Sequence, residues 1–411
     1  MAAAVALLWL FLIQQGLMFK YCIVSASSSS CSGSIVRTQG THFARNGRPV
    51  YLNGFNAYWM LMAAADASTA KNVTGAFRQA SSVGMNVART WAFNDGAGSY
   101  KPLQISPGVY DESVFRGLDF VISEAGRYGI YVILGLVNNY KELGGRPQYV
   151  EWAKERGQNV SEDDDFYTNA VVKGYYKNHV QVVVRRVNTI TGVAYKDDPT
   201  IFAWELMNEP RSNDYSGALL QNWVSEMAAY LKSIDGCHML EVGLEGFYGE
   251  SKKDLNPNGL LFGTDFLTNN QVPQIDFATT HLYADQWYLL YITRSSEIEA
   301  YVDKFLGSHT QDSNTLLRKP LVMAEFGKSS KLPGYSLATR DGYFKKIYDS
   351  IYTSSQNGGP FCGGIFWQLM EPGMDNWGDG YQLVLEYTPS TAALISLQSH
   401  RLSTLSATHK E

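Results

Sequence analysis

Two short apolar runs in this sequence end in a glutamate. The segment Trp204-Glu205-Leu206-Met207-Asn208-Glu209-Pro210 brings adjacent amide and carboxyl side chains to a proline that cannot extend a β-ladder. The segment Pro320-Leu321-Val322-Met323-Ala324-Glu325-Phe326-Gly327 ends small and apolar residues with a carboxyl group. Alone, Glu209 is equally well explained as an acidic helix cap at a strand end, whereas a buried Glu325 must be paired or functional, because an unpartnered buried charge is costly. Together they match the chemistry of retaining glycosidic cleavage, in which two carboxyl groups about 5–5.5 Å apart flank one bond. Glu209 would protonate the leaving oxygen and later activate water, and Glu325 would attack the anomeric carbon. The two lie far apart in the chain, so only a fold can make them a pair.

Helpers of the right type stand at other strand ends. Arg89 can hold the nucleophile ionised through charge-assisted hydrogen bonds, lowering its pKa. His281 and Tyr283, two residues apart, point to one side of a strand, with His281 expected to orient and tune the proton path and Tyr283 to donate to Glu325. Trp367 is expected as the floor beneath the sugar at the cleavage point, and Trp91, two residues past Arg89, as a wall of the same cleft. For any one of these side chains, structural packing or pairing is the competing explanation. The acid must start protonated and the nucleophile ionised, so their pKa values are expected to be pushed apart, giving a bell-shaped rate profile on the acidic side of neutral.

Positioning these residues requires strands whose ends converge. Short β-branched and aromatic runs recur at 50–56, 86–92, 131–138, 201–208, 239–246, 277–283, 321–327 and 364–369. Helical periodicity fills the intervals, as in Phe115, Leu118, Val121, Ile122 and Ala125, or Leu219, Trp223, Met227 and Leu231. This alternation implies parallel strands with right-handed crossovers and an α/β fold, a (β/α)₈ TIM barrel forming one domain, with its site built by loops at the C-terminal face. An open doubly wound sheet is the rival, and it is disfavoured because no Gly-x-Gly-x-x-Gly turn follows the first strand.

Laid out in strand order, Arg89, Asn208-Glu209-Pro210, His281-x-Tyr283, Glu325-Phe326-Gly327 and Trp367 resemble glycoside hydrolase family 5, and within it the plant endo-β-1,4-mannanases. The likeness runs from about Val36 to Leu397, with the segments Gly54-Phe55-Asn56-Ala57-Tyr58-Trp59, Arg89-Thr90-Trp91-Ala92-Phe93-Asn94-Asp95 and Thr280-His281-Leu282-Tyr283 being of the mannanase kind. The resemblance implies a retaining, metal-free and cofactor-free double displacement on internal β-1,4 bonds of mannans, galactomannans and glucomannans, the polysaccharides of plant cell walls. It implies that Asn208 holds the 2-hydroxyl of the reacting sugar. Where many members carry a histidine after the third strand, this chain has Asn138 and Asn139. Endoglucanase and mannan transglycosylase activities on the same scaffold would use the same two glutamates. A binding protein that has lost catalysis would show a replaced glutamate or arginine, and none of the key positions is replaced.

Composition narrows the partners. The chain has 411 residues, 45% hydrophobic and 13% aromatic, enough for a large core. Its 34 Lys and Arg against 39 Asp and Glu give a net charge of −5, and there is no basic run, which argues against nucleic acid. Flat rings of 9 Trp, 26 Tyr and 19 Phe suit sugar faces as well as cores. The apolar run from Ala2 to Phe19, followed by Val24-Ser25-Ala26, reads as a secretory signal over residues 1–26. A serine-rich linker at 27–35, the catalytic domain at 36–400 and a polar tail at 401–411 complete the expected organisation. The expected product is a secreted cell-wall enzyme, monomeric and free of the membrane once the signal is removed. Acceptor sequons at Asn72 and Asn159 fit N-glycosylation. Outside the signal, Cys31, Cys237 and Cys362 allow at most one disulfide and show no metal-ligand spacing.

Overall fold

A computed structural model describes residue 31 and residues 33–288 and 295–408. The expected signal, residues 1–26, lies outside them. Eight parallel strands form one sheet: β1 (Leu52–Asn56), β2 (Val87–Trp91), β3 (Tyr131–Gly135), β4 (Ile201–Glu205), β5 (Met239–Glu241), β6 (Ala278–Leu282), β7 (Leu321–Phe326) and β8 (Phe361–Phe366). Their spatial order, 5-4-3-2-1-8-7-6, places β8 beside β1. Between β5 and β6 the ladder is replaced by separate hydrogen bonds, Asp276 N to Leu240 O at 2.8 Å and His281 N to Glu245 O at 3.0 Å. The result is the closed (β/α)₈ barrel expected from the alternation.

The helices follow from local chemistry. In Glu112–Arg127 the capping carboxylate of Asp111 accepts from Ser113 N, an acid opens the first turn and a base closes the last, all favourable to the helix dipole. Its buried face carries Phe115, Leu118, Val121, Ile122 and Ala125, the periodic residues of the sequence. Each large aliphatic side chain so buried contributes about 1.5–3 kcal/mol. Ala218–Ile234 buries Trp223, Met227 and Leu231 in the same way. A small antiparallel sheet of Arg37–Gln39, His42–Arg45 and Arg48–Val50 precedes β1, and its Phe43 meets Phe202 and Phe277 edge-on at 5.0 and 5.2 Å. Phe202 lies at the start of β4, second after Ile201, and Phe277 precedes β6, so this ring plugs the N-terminal end and leaves the opposite mouth for the site.

Several boundaries differ from expectation. Ile35 and Val36 are buried, so the domain takes in part of the supposed linker. The supposed tail from 401 is the end of a helix, Pro389–Thr408, that buries Leu402 and Leu405. Strand β8 begins at Phe361 rather than Gly364, and β4 ends at Glu205, leaving Asn208 and Glu209 beyond the ladder. Cys31 and Cys237 are each in a disulfide, and Cys362 is a buried free thiol. Among the described residues, no helix is long and apolar enough to cross a membrane.

Candidate active site

Register decides which side chains meet at the barrel mouth. In the β1–β2 ladder Asn56 stands opposite Arg89, in β6–β7 His281 stands opposite Glu325, and in β4–β5 Glu205 stands opposite Glu241. Arg89 is completely buried and acts as the hub. Its Nε and Nη2 donate to the two oxygens of Glu205 at 2.6 and 2.8 Å. Nη1 donates to Glu325 Oε1 at 2.5 Å and to Asn56 Oδ1 at 3.0 Å, and Nη2 reaches Asn208 Oδ1 at 2.7 Å. Asn56 in turn donates to Ala324 O at 2.8 Å, fixing the arginine to the strand that carries Glu325. Charge pairing raises the guanidinium pKa against the opposing effect of burial, so Arg89 stays charged.

Glu209 sits four residues past the end of β4, on left-handed backbone (φ 51°). Such a conformation costs a non-glycine residue about 1–3 kcal/mol and persists only where neighbours enforce it. Here its N–H donates to Gly243 O at 2.9 Å. Gly243 must be glycine, with φ 97° and a position where a Cβ would lie 1.8 Å from Met207 O. The turned backbone aims Glu209 at His281, whose Nδ1 lies 2.6 Å from Glu209 Oε1 and 3.7 Å from Glu325 Oε2. Tyr283 donates its hydroxyl to Glu325 Oε2 at 2.6 Å. One oxygen of each glutamate and one nitrogen of His281 all fall within 4.8 Å of one another.

Burial sets the protonation pattern. It is the largest influence on both glutamates and pushes both above the ordinary carboxylate range. Sequence reasoning expected Arg89 to hold Glu325 below that range; its charge and that of His281 oppose the shift without overturning it. Glu325 nevertheless has a guanidinium and a phenol donating to its carboxylate. Glu209 is restrained chiefly by the Arg211 charge, with Arg89 and the Tyr140 hydroxyl assisting. Burial lowers the His281 pKa, and its Nε2 finds no partner among the described residues. The three donors have the types that bind divalent metals, but their facing atoms are already engaged with each other, with Arg89 and with Tyr283.

A cavity of about 1050 Å³ opens over this cluster, and Glu209 and Glu325 both line it, 14% and 6% of their side chains exposed. Trp367 and Trp91 line it too, their rings 6.4 Å apart, with the Arg89 guanidinium 4.5 Å from the Trp91 ring centre. Tyr58 stacks on Trp367 at 6.0 Å and 13°. Asp379 accepts from Trp367 Nε1 at 2.5 Å and from Gln368 Nε2 at 3.1 Å. Asn208 donates to Asn138 Oδ1 at 3.0 Å, and Asn138 donates to Glu142 O at 3.1 Å, so Asn138 steadies Asn208.

All eight residues singled out from the sequence, Arg89, Trp91, Asn208, Glu209, His281, Tyr283, Glu325 and Trp367, converge on this mouth. Others were not foreseen. Glu205 was a visible signal, a charge inside an apolar strand four residues before Glu209, and it proves to be the arginine's main partner. Arg211 and Glu245 form a two-armed ion pair at 2.8 and 2.6 Å beside Glu209, and Asp379 and Tyr381 arrive on a loop. Burial and the Glu209 charge push Glu245 up to about 7.

Comparison with known proteins gives the family. A model of the family described as "GH family 5 beta-mannosidase-like" matches residues 33–374. The chain belongs to glycoside hydrolase family 5. This family 5 chain is 56% identical over 376 residues to mannan endo-1,4-beta-mannosidase 4 of Solanum lycopersicum, covering 91% of the chain and 93% of the relative. It is 54% identical over 378 residues to mannan endo-1,4-beta-mannosidase 1 of Arabidopsis thaliana, covering 90% of each. The solved endo-beta-1,4-mannanase of Thermotoga petrophila superposes with a TM-score of 0.75 at 30% identity, covering 87% of this family 5 chain and 78% of that one.

Proposed function

We propose that this family 5 enzyme hydrolyses internal β-1,4 linkages of mannans, galactomannans and glucomannans with retention of configuration. The observation that carries the proposal is the placement of Glu209 and Glu325 oxygens within 4.8 Å of each other across one cavity. That closeness supports attack by one carboxylate on the sugar itself, for which the two carboxyl groups stand about 5–5.5 Å apart, over the gap of about 6.5–9.5 Å that holds a water between them. The substrate class is supported by the relatives, mannan endo-1,4-beta-mannosidases over most of their length.

Glu325 attacks the anomeric carbon as the bond to the leaving oxygen breaks, and Glu209 passes its proton to that oxygen. Glu209, now ionised, removes a proton from water, which attacks the glycosyl ester and frees Glu325. His281 hydrogen-bonds Glu209 at 2.6 Å and holds it in place. Arg89 and Tyr283 hold the Glu325 carboxylate in one orientation, a near-attack geometry set before substrate arrives. Asn208 has an amide hydrogen left after bonding Asn138, and it donates to the 2-hydroxyl, a contact that strengthens as positive charge builds on the sugar ring. Trp367 provides the floor.

The same reading makes the protein a secreted monomer of the cell wall. Asn159, exposed in a loop after a helix, is the better glycan acceptor, whereas Asn72 lies half-buried inside the helix Ala70–Ser82. Reducing ends released from galactomannan and not from carboxymethylcellulose test the substrate; the opposite pattern would overturn it.

A further inference from the structure

The aromatic floor does not stop at the cavity. Beyond Trp367 and Tyr58, the Trp377 ring lies 6.3 Å from Tyr58, and the Tyr100 ring lies 6.2 Å from Trp377. Neither Trp377 nor Tyr100 lines the cavity, and Tyr100 is 56% exposed. A ring left this open adds little to the core, yet the backbone that carries both rings is held by hydrogen bonds. Buried Asn94 donates to Tyr100 O at 2.7 Å and to Lys101 O at 2.8 Å, and Ser99 donates to Asp95 O at 2.9 Å. Tyr58 donates its hydroxyl to Trp377 O at 3.0 Å, while Asp379 fastens the same loop to Trp367. Two loops that share no strand thus bring Trp377, tilted 46° to Tyr58, and Tyr100, edge-on to Trp377 at 67°, next to the aromatic floor.

We propose that Trp377 and Tyr100 form a distal binding platform for a neutral, chain-like β-linked polysaccharide, contacting sugar rings outside the cavity on the Tyr58 side. The inference rests on the mannan reading of the cavity and adds to it the direction and reach of the bound chain. Ring steps of 6.3 and 6.2 Å suit successive residues of an extended polymer, each offering an apolar face to an aromatic one. Beside Tyr100, Lys101 and Asp66 approach each other at 3.8 Å. A backbone preordered by hydrogen bonds loses little freedom on binding.

The test compares hydrolysis of mannohexaose and mannotetraose by wild type, Trp377→Ala, Tyr100→Ala and Trp377→Phe. The ratio of kcat/KM for the hexamer to that for the tetramer should fall about three- to tenfold in each alanine variant and recover in Trp377→Phe. General loosening of the loop would lower both constants together, so an unchanged ratio in both alanine variants overturns the platform. Wild-type hydrolysis of either oligomer reports separately on the substrate reading. If wild type cleaves neither, that reading fails whatever the variants do.

Discussion

Replacing Tyr283 by phenylalanine removes a single atom from the site, and that atom has one partner. The Tyr283 hydroxyl donates to Glu325 Oε2 at 2.6 Å, and the side chain is 93% buried, its residue keeping only 7% exposure, so water does not readily take its place. A hydrogen bond to a charged group is worth about 1.5–3 kcal/mol net, and 1.36 kcal/mol corresponds to about one pKa unit. The hydroxyl favours the carboxylate form, so its loss raises the Glu325 pKa further. Glu325 must be ionised to attack; hence the acidic limb of kcat/KM moves up with it. The alkaline limb, set by the proton on Glu209, stays in place and the bell narrows from one side. The assay is kcat/KM for a manno-oligosaccharide across the full range in which the enzyme remains folded. A Tyr283→Phe profile lowered at every pH with its acidic limb unmoved would refute the assignment of that hydroxyl to the nucleophile.

Arg89→Ala should cost about 3–5 kcal/mol of stability in urea unfolding, because it strands the buried carboxylates of Glu205 and Glu325; a loss below about 1 kcal/mol would contradict the role of hub. Asp379→Ala should release Trp367 Nε1, shifting tryptophan emission to the red and lowering kcat/KM about tenfold, and unchanged emission would show that Asp379 does not hold the ring. Dialysis against a chelator should leave the rate unaltered, since the facing atoms of Glu209, His281 and Glu325 are engaged by protein donors and by one another. Activity lost on dialysis and restored by a divalent ion would reverse that conclusion.

The barrel was legible because its signals are local. Apolar runs of strand length alternate with 3.6-residue periodicity, and each helix buries the residues that its period selects. Strand β8 was read three residues late, from Gly364, because Gly363 interrupts its apolar run. In the barrel, Gly363 is required by crowding, as a Cβ there would come within 2.5 Å of Leu52 Cβ. The last helix was mistaken for a tail because its serines and threonines mask a sparse buried face, Ile395, Leu402 and Leu405. At the site, residues on or just after strands were visible, since a charge ending an apolar run has few structural explanations. The partnership of Arg89 with Glu205 depends on the register between strands, which no single segment encodes. The protonation pattern was also misjudged, because residue types reveal neighbouring charges but not the depth at which Glu325 is buried. Arg211, Glu245, Asp379 and Tyr381 come from loops without periodicity, and only the closed barrel brings them to the mouth.

The covalent step can be caught directly. A 2-deoxy-2-fluoro mannoside with a good leaving group slows release of the glycosyl group more than its attachment, so the ester accumulates and its position can be read by peptide mass spectrometry. The account predicts a stoichiometric mass increase on the peptide containing Glu325, carried by that side chain. A label on Glu209 or another residue, or product of inverted configuration with no labelled enzyme, would contradict it.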